Sequence, residues 1–226
     1  MTQAGKQLYL VGNWKSNKTL EEAQEFIDTI SLPDLPSDIH VVICPPLPYL
    51  IPMKESSLEL GVQDISPFPF GAYTGAVTGE MIKPYVHYVI VGHSERRKYF
   101  HETNQEVGNK ARMALANGLK PIVCVDEPYL DAQLAYFTRE ELNQIIVAYE
   151  PLAAIGSGTP DTPEHAESIA EKIQSLTQAN IPVLYGGSVT AETVKQYTDL
   201  PHISGVLVGG ASLKADSWST LVKAVI

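Results

Sequence analysis

The chain has 226 residues, 44% of them hydrophobic and 19% charged, with a formal net charge of −10, a balance that suits a globular protein able to bury a core without disulfides or a structural metal. The acidic surplus argues against nucleic acid and anionic membranes as partners, because both require a basic face. No apolar stretch approaches the ~20 residues that span a bilayer, and the polar segment Met1 to Gln7 reads as no signal peptide, so a cytoplasmic protein is expected.

In chain order, the first apolar run is Leu8–Val11, ending in Gly12-Asn13-Trp14-Lys15. Thr19 and Glu22 then form a T-x-x-E capping box, and Leu20, Ala23, Ile27 and Ile30 follow at helical spacing. The runs Val41–Cys44 and Leu58–Val62 come next, each followed by a proline-rich connection with room for short helices only. Tyr88–Val91 leads into Gly92-His93-Ser94-Glu95. Thr103 and Glu106 repeat the capping device, with Val107, Ala111 and Ala114 as the stripe and Asn117-Gly118 as the stop. The run Pro121–Val125 is followed by a brief stretch, Asp131 to Asn143, and then by Ile145–Tyr149. Thr162-Pro163 opens a helix with a proline in its first turn, ahead of Ile169, Ile173 and Leu176. After Val183–Tyr185, Thr190 is expected to open a short helix. After Gly205–Val208, the last helix begins near Asp216. Cys44 and Cys124 each sit in an apolar run with no zinc-ligand spacing around them, and both read as buried thiols.

Eight continuous apolar runs with crossovers between them indicate a parallel α/β fold whose strands are buried on both faces. Pattern alone leaves a closed barrel and an open doubly wound sheet as alternatives, although no G-x-G-x-x-G follows the first run. No linker or domain boundary is visible, so residues 1–226 are expected to form a single domain. In a barrel, active sites lie where strands run out at their C-terminal ends. Those ends carry Asn13 and Lys15, then His93, Ser94 and Glu95, then Glu150, then Gly186-Gly187-Ser188, and finally Gly209-Gly210. Each has an ordinary reading, as a solvated lysine, a capping carboxylate, a structural histidine or a plain turn. Together they suit one chemistry. A carboxylate that becomes desolvated can take a proton from carbon beside a carbonyl. A lysine and an imidazole can neutralise the resulting oxyanion, and glycine turns can hold a phosphate through backbone N–H groups even in an acidic protein.

These segments resemble the triosephosphate isomerase family along nearly the whole chain. Gly12-Asn13-Trp14-Lys15 is similar to its first-strand signature, Val91 to Arg97 to its fourth-strand motif, and Ala148-Tyr149-Glu150-Pro151 to its sixth-strand motif. Ala154-Ile155-Gly156-Ser157-Gly158 resembles its lid. Tyr185 to Val189 and Val208 to Leu213 resemble its two phosphate turns, and Gly71-Ala72-Tyr73-Thr74-Gly75 resembles the loop that enters a neighbouring subunit. The resemblance implies a (β/α)8 TIM barrel, α/β in class, with a shortened helical segment after strand 5. It implies an isomerase of glycolysis and gluconeogenesis that interconverts dihydroxyacetone phosphate and D-glyceraldehyde 3-phosphate through an enediolate. Its implied catalytic set is Asn13, Lys15, His93, Glu95 and Glu150, with Glu150 as base, His93 and Lys15 as electrophiles, and Glu95 pairing with Lys15. Gly156, Ser188, Gly209 and Gly210 would bind phosphate, Ile155 and Leu207 would clamp the base, and Thr74 would meet a second subunit. No metal or organic cofactor is implied, because proton transfer needs only acid, base and oxyanion donors.

The chain departs from that pattern in places. Ala153 replaces a usual Trp in the lid, Pro160 stiffens the segment after it, and Ala76 replaces a frequent Glu in the subunit loop. The short segment between Cys124 and Tyr149 is expected to expose apolar barrel surface that a neighbour could cover. A homo-oligomer follows, a dimer ahead of a tetramer. Two other readings fit less of the site: another phosphosugar isomerase or epimerase, and a catalytically impaired barrel acting as a phosphate-ligand binding or scaffold protein.

Overall fold

The computed structural model describes residues 6–54, 56, 58–152 and 160–226. Eight parallel strands close into a barrel in sequence order: β1 Leu8–Asn13, β2 Ile39–Cys44, β3 Glu59–Val62, β4 Tyr88–Val91, β5 Lys120–Val125, β6 Ile146–Tyr149, β7 Val183–Tyr185 and β8 Gly205–Val208. Closure is made by β1 against β8, with Val11 opposite Leu207. The closed barrel, rather than the open sheet, is therefore the fold.

The continuous apolar runs have a physical cause in this closure. Tyr9, Val11, Val42, Tyr88, Ile90, Ile122, Ile146, Leu184 and Leu207 form one cluster to which no helix contributes, and this is the barrel interior. Their chain neighbours Leu8, Leu10, Val41, Ile43, Val89, Val91 and Val123 join a second cluster with the helices outside. Both faces of each strand are thus apolar, which removes the usual alternation.

Helices follow the strands: α1 Leu20–Thr29, α2 Leu50–Met53, α3 Gly79–Ile82, α4 Ser94–Phe100, α5 Asn104–Ala116, α6 Leu130–Leu134, α7 Arg139–Leu142, α8 Pro163–Thr177, α9 Val194–Thr198 and α10 Ala215–Val225. Capping boxes at Thr19 and Thr103 form as expected, each threonine side chain accepting from the backbone of the glutamate three residues on. The buried face of α1 differs from the expected stripe. Leu20 is half exposed, while Phe26 is buried edge-on against Trp14 at 4.8 Å, so aromatic packing rotates the helix. Thr190 does not begin a helix. Its carbonyl accepts from Val194 N–H, and α9 starts only there.

The shortened fifth connection is a pair of four- and five-residue helices, with a third capping box at Thr138 and Glu141. Its residues Leu130, Leu134, Phe137 and Leu142 are all buried, and Val123 and Val125 beneath them are fully buried too. The apolar surface over β5 is covered from within the chain, contrary to the expectation that it lies open.

Candidate active site

The sharp turn after β1 places Lys15. Its backbone sits at φ 53°, a left-handed conformation that costs a residue with a side chain about 1–3 kcal/mol. Two side chains hold it there. Asn13 Oδ1 accepts from Lys15 N–H at 3.0 Å, and Gln63 Nε2 donates to the carbonyls of Lys15 (2.9 Å) and Cys44 (3.0 Å). So anchored, Lys15 Nζ reaches Glu95 Oε1 at 2.7 Å.

β4 ends at Val91, Gly92 follows, and His93 caps α4. His93 Nδ1 accepts from Glu95 N–H at 3.1 Å, which puts the proton of a neutral ring on Nε2. That Nε2 lies 3.0 Å from Glu150 Oε1. The other oxygen of Glu150 accepts from Ser94 N–H at 2.9 Å. Glu150 follows β6 directly, its N–H bonded to the Val125 carbonyl at 2.8 Å, and only 1% of it is exposed.

Burial alone would weaken this acid, pushing its pKa up. The His93 imidazole, the Ser94 N–H and the Lys15 charge outweigh burial and hold Glu150 below its ordinary value. The partner shifts oppositely. Burial pulls His93 down, but the Glu150 and Glu95 carboxylates raise it above the ordinary histidine range. The carboxylate is therefore desolvated, as the sequence suggests, yet not made more basic while the pair is joined.

The glycine turns close on the same place. A Cβ on Gly209 would lie 3.4 Å from Lys15 Cε, and one on Gly186 would lie 2.9 Å from Glu150 Cγ. Any larger residue at Gly186 would push the carboxylate aside. Gly209 and Gly210 open the 3₁₀ turn Gly210–Ser212 after β8, and the Ser212 carbonyl accepts from Trp14 Nε1 at 3.0 Å, tying this turn to the one after β1. Ser188 lies half-buried three residues past β7. Leu207 is buried in the barrel interior. Ile155 and Gly156, with Ala153 and most of the expected lid, lie outside the described residues. Thr74 sits exposed in the loop after β3.

Asn13, Lys15, His93, Glu95 and Glu150 thus meet at one rim, together with Gly186 and Gly209. Sequence reasoning missed Gln63. The polar residue that ends the third apolar run was the available signal, by the same rule that picked out Lys15 and Glu150. It read Arg97 only as the end of the fourth-strand motif and gave it no role, and it missed Gln133, whose bond to Arg97 links segments 36 residues apart and leaves no local pattern.

Fold and site together define a parallel (β/α)8 barrel with a buried carboxylate–imidazole pair and a lysine at the C-terminal rim of its strands. A profile of the triosephosphate isomerase family matches residues 8–225. The triosephosphate isomerase of Roseiflexus castenholzii is 40% identical over 94% of this chain and 95% of its own length. That of Carboxydothermus hydrogenoformans is 38% identical over 96% and 98%, and that of Mesomycoplasma hyorhinis 38% identical over 94% and 96%. The chain belongs to the triosephosphate isomerase family.

Proposed function

We propose that this protein interconverts dihydroxyacetone phosphate and D-glyceraldehyde 3-phosphate, as the names of its relatives indicate, with Glu150 as the base that moves the proton between the two carbons. The observation that carries the residue assignment is the buried contact of Glu150 with His93, beside Lys15, at the end of three different strands. In the free protein the base and the imidazole occupy each other. A substrate that enters between them breaks their contact. Each then loses its largest opposing influence: the Glu150 pKa shifts upward, toward a stronger base, and that of His93 shifts downward, toward a neutral N–H that serves the enediolate oxygens. The direction of both changes is what the reaction requires.

Lys15 supplies positive charge to those oxygens, Asn13 holds its backbone, and Glu95 fixes its ammonium. Ser188, Gly209 and Gly210 serve the phosphate, and backbone groups do this without a cationic surface, which accords with the net charge of −10. Gly156, Ile155 and Leu207 are assigned to phosphate and clamp on the family resemblance. Among the described residues no helix is long and apolar enough to cross a membrane; the reading is of an enzyme of cytoplasmic glycolysis and gluconeogenesis, working as a single-domain homo-oligomer.

Turnover of glyceraldehyde 3-phosphate in a coupled assay tests the assignment. Glu150→Asp withdraws the carboxylate by one methylene and is expected to lower kcat roughly 100-fold, the scale on which about 1 Å of misplacement acts. Equal rates in the two proteins would remove Glu150 from the role of base.

A further inference from the structure

The shortened connection after β5 contains a polar side chain with no solvent exposure, Gln133 on α6. A neutral amide is buried only where both its ends are bonded. Its Oε1 accepts from Arg97 Nη2 at 2.7 Å and its Nε2 donates to the Asn104 carbonyl at 3.2 Å. The ring of Tyr129, just ahead of α6, lies 4.3 Å beneath the Arg97 guanidinium. This segment therefore presents an acceptor to the edge of the guanidinium and a π face to its plane, the two features that fix an arginine in orientation.

What Arg97 does with that orientation bears on the site. Its Nε donates to the Gly92 carbonyl at 2.8 Å, Nη1 to Asn104 Oδ1 at 2.7 Å, and Nη2 to the Cys124 carbonyl at 3.4 Å. Gly92 is the residue before His93 and has φ 69°. Cys124 is the residue before Val125, whose carbonyl holds the backbone N–H of Glu150. One guanidinium thus grips the chain immediately upstream of the imidazole and next to the strand bond that seats the carboxylate. Lys15 and Gly209, on the other side of the rim, receive none of its bonds.

We propose that Gln133 and Tyr129 are positioning residues for the reaction, acting through Arg97 to fix the separation and angle of the His93–Glu150 pair. The proposal rests on the isomerase reading above. It gives the shortened fifth unit a task in the chemistry as well as in the core.

The test is Gln133→Met, which keeps volume and removes the acceptor, beside Gln133→Glu, which restores an acceptor for Arg97. The expected result for Gln133→Met is a kcat roughly tenfold lower, since a misplacement of a fraction of an ångström acts on the chemical step. KM should stay within about twofold, because the groups assigned to phosphate are untouched. The ring 15N signals of His93 should move, and Gln133→Glu should recover most of the rate. A merely structural role predicts a lower Tm with unchanged kcat and unchanged His93 signals, and that outcome overturns the proposal; so does a rate loss that Gln133→Glu leaves in place. If Gln133→Met does not fold, Tyr129→Leu, which removes the π face alone, takes its place: a lower kcat with shifted His93 signals supports the proposal, and a lower Tm alone overturns it. If the unaltered protein itself shows no turnover, the isomerase reading fails separately, and the His93 signals still decide whether Gln133 orients the imidazole.

Discussion

At Glu150, burial and hydrogen bonding act in opposite directions, and the balance is held by one neighbour. Burial raises the pKa of the carboxyl, while His93, the Ser94 N–H and Lys15 lower it, with the lowering in excess. His93→Gln keeps a side chain of similar reach but removes the ionisable imidazole, the largest of the three lowering influences. The Glu150 midpoint is then expected to rise. Carboxyl 13C NMR against pH reads this directly, as a titration of the coupled pair in the unaltered protein and of a single group in the variant. A midpoint that stays put or falls would show that His93 does not hold the carboxylate ionised. The same reasoning explains why Lys15 bears a strained backbone. The left-handed turn aims its ammonium at Glu95 and past Gly209, and Asn13 and Gln63 offset the strain with three hydrogen bonds.

At the scale of the element, the head of α8 is tied to the ends of β5 and β6. His165 Nδ1 contacts Asp161 Oδ2 at 2.8 Å and its Nε2 faces Glu127 Oε1 at 3.5 Å, while the Tyr149 hydroxyl, with one proton to donate, lies 3.2 Å from Asp161 Oδ2 and 3.4 Å from Glu127 Oε1. The bond to Asp161, with both carboxylate charges, raises the His165 pKa above 6.5 despite some burial. A raised pKa means that the folded state binds the proton more tightly than the unfolded one. The stabilisation is therefore complete below the ordinary histidine value and disappears as pH rises through the folded one. His165→Gln should lower Tm more at about pH 5 than at about pH 9, with a modest difference because the ring is partly exposed and screened. An equal loss at both would show that the charge of His165 contributes nothing. Elements like α8 were legible in advance because their starts are local. Thr162-Pro163 is read from two consecutive residues, and Thr19 with Glu22 and Thr103 with Glu106 from four each. The strands were legible because burial on both faces writes them as unbroken apolar runs. The start of α9 and the buried face of α1 were not, since the first depends on a Thr190–Thr193 turn and the second on Trp14 meeting Phe26 across the fold. The rim residues were legible through topology, as every polar residue ending a strand must arrive there. Gln133 acts through a bond to Arg97, 36 residues away, which no local pattern encodes, whereas Gln63 ends an apolar run and Arg97 ends the fourth-strand motif.

For the whole molecule, exposed apolar surface is the ground for the proposal that copies of the chain associate. The loop from 66 to 77 carries Phe68, Phe70 and Tyr73, all more than 40% exposed, with the Phe68 and Tyr73 rings stacked at 4.5 Å. Pro67, Gly75 and Ala76 of this loop line one cavity with Leu47 and Arg96, and the Arg96 guanidinium lies over the exposed ring of Phe100. A continuous face therefore runs from the loop across to α4, and burying it would stabilise association by about 25 cal/mol for each Å² covered. The absence of a carboxylate at Ala76 leaves Arg96 satisfied, because Asp64 and Glu102 of the same chain bind it at 2.8 and 2.5 Å. The other candidate interface, over β5, is already filled by Leu130, Leu134, Phe137 and Leu142. We propose that this face, with its stacked rings and adjoining cavity, forms a two-fold pair in which the same patch serves both partners, ahead of a tetramer, which needs a second interface. Light scattering is expected to give twice the chain mass, and Phe70→Glu with Tyr73→Glu is expected to give single chains while the barrel stays folded by circular dichroism. A mass of one chain for the unaltered protein, or an unchanged pair in the double variant, would place the association elsewhere or nowhere.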